Sequence, residues 1–112
     1  MNKFFEKLIK VGYTVHNKRV LGNPNHVSSE TREKDLTQEY ALIVMWLYEK
    51  HGIWIQPLPY DTITAAKEWT ATILSLNWGE DKEVHYEYKL SGLNSPTEAY
   101  EAAIEYILKN LI

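Results

Sequence analysis

The longest apolar run in the chain is Ala41–Tyr48, eight residues read A-L-I-V-M-W-L-Y. A run of that length fits a buried strand or a buried helix, and its flanks decide between them. Thr37 precedes Gln38 and Glu39, so a hydroxyl and a carboxylate stand where free helix amides need them. Lys50 and His51 fall where the last turn favours cations, and Gly52 follows as a left-handed C-terminal residue. Leu, Met and Ala outnumber the β-branched pair Ile43 and Val44. The pattern predicts a central helix of about four turns over Thr37–Lys50, short of the roughly 20 apolar residues of a membrane span. Being apolar on nearly all sides, it should be covered on more than one side, by a sheet and another helix or at an oligomer interface.

Around it the periodicity changes. Phe4, Phe5, Leu8, Ile9 and Tyr13 recur at one-face helical spacing, which predicts a helix from an Asn2 cap to about Lys10, ended or bent at Val11-Gly12. His16–Leu21 has no firm period. From Gly22 to Asp35 only Val27 is clearly apolar, and turn formers predict a polar surface loop at about 22–35. After the central helix, Ile53–Gln56 alternates faces and Pro57 and Pro59 close it, as suits an edge strand. Tyr60–Ala66 is a connection. Lys67–Asn77 alternates with apolar residues on both faces, which predicts a central strand. Asn77–Lys82 is a turn. Val84, Tyr86, Tyr88 and Leu90 then share one strand face, opposite His85, Glu87 and Lys89. Finally Ser95-Pro96-Thr97-Glu98 reads as an N-cap, a first-turn proline and a capping-box glutamate, opening a helix to about Asn110. The expected fold is α+β: an N-terminal helix, a central helix, a three-stranded antiparallel meander and a C-terminal helix, with the helices mainly on one sheet face.

A length of 112 residues suits a single domain spanning 1–112. There is no cysteine, so disulfides and thiolate metal sites are excluded. The start, M-N-K-F-F-E, is too polar for a secretory signal, and a cytoplasmic protein is expected. The net charge of −3 is polarised: residues 1–34 carry seven Lys/Arg against three acids, and residues 35–112 carry five against twelve.

Two stretches carry a resemblance. Trp46-Leu47-Tyr48-Glu49-Lys50-His51-Gly52-Ile53-Trp54-Ile55 resembles the helix-to-strand junction of small uncharacterised proteins of gut Bacteroidetes and their prophages. Ser95-Pro96-Thr97-Glu98-Ala99-Tyr100-Glu101-Ala102-Ala103-Ile104 is similar to the closing helix of the same group. The resemblance covers roughly 37–112 and implies no activity, cofactor or site, only a phage or mobile-element accessory setting.

Linear motifs for chemistry are missing. His16, His26, His51 and His85 lack the paired spacing of a helical zinc site, no G-x-S-x-G elbow holds a serine, and the five glycines form no phosphate cradle. The expectation is a non-enzyme with no catalytic, cofactor or metal residues. Two surfaces remain. Ile53 and Ile55 take one strand face and Trp54 the other, joined by Thr70, Thr72 and Leu74 or by Trp69 and Ile73, depending on register. If helices cover the Ile53/Ile55 face, then Trp54, Thr70 and Thr72 form a candidate protein interface, for an unknown protein partner or a second copy, unless the N-terminal segment or the Tyr60–Ala66 connection folds over it. The alternative is a nucleic-acid-associated factor using Lys18, Arg19, Arg32 and Lys34, which the acidic remainder of the chain disfavours.

Overall fold

A computed structural model describes residues 3–22, 27–61, 63–76 and 84–112, with the backbone alone at 76 and 84–87. The expected α+β arrangement is present. Helix α1 (Lys3–Lys10) is followed by a 3₁₀ turn (Lys18–Leu21), helix α2 (Ser29–His51), strands β1 (Ile53–Leu58), β2 (Trp69–Leu76) and β3 (Val84–Leu93), and helix α3 (Pro96–Asn110). The sheet is antiparallel in the order β1-β2-β3, so β2 is central and β1 is an edge.

The register fixes the two faces. Ile55 pairs with Ile73 and Pro57 with Ala71, while Ile73 pairs with Tyr88 and Ala71 with Leu90. These residues form the face under the helices. Ile53, Ile55, Ala71 and Ile73 are buried there with Ala99, Ala103 and Ile107 of α3. Small alanines let α3 lie close to the sheet, and Tyr106 stacks on Tyr88 at 4.1 Å between ring centroids. Phe4 and Phe5 of α1 pack their rings on Tyr40 of α2 at 5.6 and 6.4 Å.

Three helix ends fall where they were expected. Gly12 sits at φ +106° as the left-handed residue ending α1, with its amide donating to the Ile9 carbonyl and the Tyr13 amide to that of Leu8. Gly52 ends α2 at φ 64°. Ser95 Oγ accepts from the Glu98 amide at 3.1 Å.

Three expectations are corrected. The central helix begins eight residues before Thr37, at Ser29, with the Ser28 side chain accepting from the Thr31 amide. The polar loop at about 22–35 therefore gives way to helix from Ser29. Tertiary bonds hold that polar stretch: Arg19 pairs with Asp35 at 2.7 Å and Arg32 donates to the Arg19 carbonyl. Pro57 does not close the edge strand but lies within it, where its missing N–H costs the ladder little. As expected, α2 is covered on more than one side, by β1, α1 and α3, with Tyr40, Ile43, Val44 and Leu47 buried, while Leu42 and Met45 on its outer side are 42% and 48% exposed. The Asn2 cap and the Asn77–Lys82 turn lie outside the described residues.

Candidate functional site

The face of the sheet away from the helices carries Trp54 opposite Leu74, Gln56 opposite Thr72, and Leu58 opposite Thr70. The register thus selects the Thr70–Thr72–Leu74 set as the neighbours of Trp54. This face has two halves. Over one half, the Tyr60–Ala66 connection folds back: Thr70 Oγ1 donates to the Tyr60 carbonyl at 3.2 Å. Asp61 accepts from the Ile63 amide at 2.8 Å and from Lys89 Nζ at 3.0 Å. Those bonds hold the Asp61 carboxyl below its ordinary pKa, the Ile63 amide contributing most. Thr70 is consequently fully buried and is removed from the candidate interface, its hydroxyl serving to pin the cover. Thr72 remains half-buried beside Lys89.

The other half is open. Trp54 is half-buried, its ring meeting Tyr48 edge-on at 5.5 Å. With Met45 and Leu74 these rings line a shallow, almost wholly apolar depression of about 430 Å³. It lies where the end of α2 meets the edge of the sheet. Met45 also borders a second depression of about 510 Å³, with Tyr13 and His16 on one wall and Leu42, Trp46 and Glu49 on the other. The exposed apolar surface therefore runs from Trp54 along α2, farther than strand alternation indicated.

Behind the second depression lies the group that sequence reasoning missed. Glu39, expected near the helix start, lies inside α2 and is 1% exposed. Its carboxylate accepts from the Tyr13 hydroxyl, from the His16 amide at 3.2 Å and from the Asn17 amide at 2.8 Å. His16 Nδ1 stands 3.5 Å away. Burial alone would raise the Glu39 pKa, but these donors outweigh it and the net shift is downward. The Tyr13 phenol moves upward, through burial and the adjacent carboxylate. A carboxylate held ionised by several donors is a poor proton acceptor, so the cluster acts as a clamp. Asp35, one turn earlier, holds Arg19 in the same way.

Of the basic residues singled out, Lys18 and Lys34 are exposed, whereas Arg19 and Arg32 are engaged with Asp35 and the Arg19 carbonyl. The side chains of His85 and Glu87 lie outside the described residues. Among the described residues, no three His, Asp or Glu side chains gather as a metal site, and no helix is long and apolar enough to cross a membrane. No family model matches the chain, and no curated protein or solved structure is significantly similar to it.

Proposed function

We propose that this protein is a non-enzymatic interaction module, with a phage or mobile-element accessory role as its setting. It docks a protein partner through the apolar depression of Met45, Tyr48, Trp54 and Leu74. The observation that carries this reading is Trp54 itself: a half-buried indole on the uncovered half of a sheet face, in a depression with hardly any polar lining. Indole rings in such positions dominate binding energy at protein interfaces. The engagement of Arg19 and Arg32 within the fold leaves nucleic-acid binding the weaker reading.

A photo-crosslinking residue placed at exposed Gln56, beside the depression, tests the proposal in the native cells. One discrete adduct is expected, and it disappears when Trp54→Glu is added while thermal stability stays close to that of the parent. An adduct pattern indifferent to Trp54→Glu overturns the reading.

A further inference from the structure

The outward side of α2 carries Lys34, Gln38, Ala41, Leu42, Met45 and Glu49, all exposed. At 3.6 residues per turn they occupy an arc of roughly 100°, opposite the buried stripe of Glu39, Ile43 and Leu47. The order along the arc is cation, amide, three apolar residues, anion. This order is self-complementary in one orientation. A two-fold axis crossing α2 between Ala41 and Leu42 sets Ala41 against Leu42 of a second copy, Gln38 against Met45 and Lys34 against Glu49. The Lys34–Glu49 pair then forms twice, once on each side of the axis, and the small Ala41 side chain lets the two helices approach at the centre. A parallel pairing in register would set Lys34 beside Lys34 and Glu49 beside Glu49, which like-charge repulsion disfavours.

The geometry points to a second copy of this chain as the occupant of the outward face of α2, packed antiparallel about that axis. This inference rests on the reading of the apolar α2 surface as a protein interface and names one partner for its outer part. The depression between Tyr13, His16, Leu42, Trp46 and Glu49 receives side chains of the second copy, and the Trp54 depression is left to the other partner. An isologous contact of this kind closes on itself and stops at a dimer.

Sedimentation equilibrium over a concentration series tests it. The parent is expected to show a reversible monomer–dimer equilibrium. Lys34→Glu or Glu49→Lys alone raises the dissociation constant roughly tenfold, since symmetry breaks two ion pairs at once. The combined Lys34→Glu/Glu49→Lys chain restores it. Both positions are exposed, so circular dichroism should show every variant folded. The absence of cysteine allows a second measurement. Ala41→Cys places a thiol beside the axis, and mild oxidation should link two copies faster than it links Glu105→Cys on the exposed side of α3. A parent monomeric at all concentrations, a dimer indifferent to the charge reversals, or equal linking rates for the two cysteines overturns the inference. A monomeric parent that keeps its Trp54-dependent adduct removes self-association and leaves the proposed docking depression standing.

Discussion

Glu39 carries a buried charge whose donors come from a segment more than twenty residues away in sequence, through bonds from Tyr13, His16 and Asn17. Glu39→Gln keeps the shape but loses the charge, and one amide group cannot accept from all three donors. It should cost about 2–3 kcal/mol in urea unfolding at neutral pH. The sign of the pH dependence follows from the downward shift. The folded chain binds this proton more weakly than the unfolded chain does. The stabilisation is complete above the ordinary carboxylate value of 4.5 and is lost as pH falls through the lower folded value. Asp61 adds to the same acid window, so the comparison is between parent and Glu39→Gln, whose stability should decline less steeply below pH 4.5. At the alkaline end, burial beside Glu39 and Glu101 raises the Tyr13 and Tyr40 phenols. Ultraviolet titration should find at least two of the eight tyrosines still neutral when ordinary phenols, near pH 10, have ionised. Neither buried acid of α2 was legible in the sequence, because a charged residue next to a polar stretch reads as solvated until its distant donors are placed.

Elements were legible where the local chemistry was sufficient. Ser95-Pro96 announced α3, and Ser95→Ala should lower stability by about 1 kcal/mol, read as a shift in thermal unfolding. Ser28→Ala should cost a similar amount, because Ser28 does for α2 what Ser95 does for α3. That start was hidden in the sequence. Ser29–Asp35 has no apolar period, and its helical state depends on Arg19 and Arg32 bonding across to another segment. The signal that could have revealed it is Ser28 followed by Glu30 in the first turn. Strand alternation placed Trp54 on the face opposite Ile53 and Ile55 correctly. It could not show that the Tyr60–Ala66 connection buries Thr70, since that depends on the long-range Asp61–Lys89 pair.

For the whole molecule, the polarised charge read from the sequence is only partly available to a partner. The buried acids of α2 draw Arg19 and the 13–17 segment inward, which leaves α2 with a polar start, an inner face in the core and an outer apolar stripe. The open sheet face shrinks to the end nearest α2, while the exposed apolar surface extends along that helix. Both proposed contacts therefore converge on Met45. Met45→Glu should weaken self-association and partner docking together, whereas Trp54→Glu should act chiefly on the second, with sedimentation and crosslinking as the two measurements.

The one-residue joint at Gly52 has a further effect. Its amide donates back to the carbonyls of Leu47 and Tyr48, and β1 starts at the next residue. No slack separates the helix from the sheet edge, so Trp46 on one flank and Trp54 just past the joint belong to a single lever. Tryptophan emission should consequently register whatever settles on that lever without any attached dye, giving the protein an intrinsic optical gauge of its own occupancy.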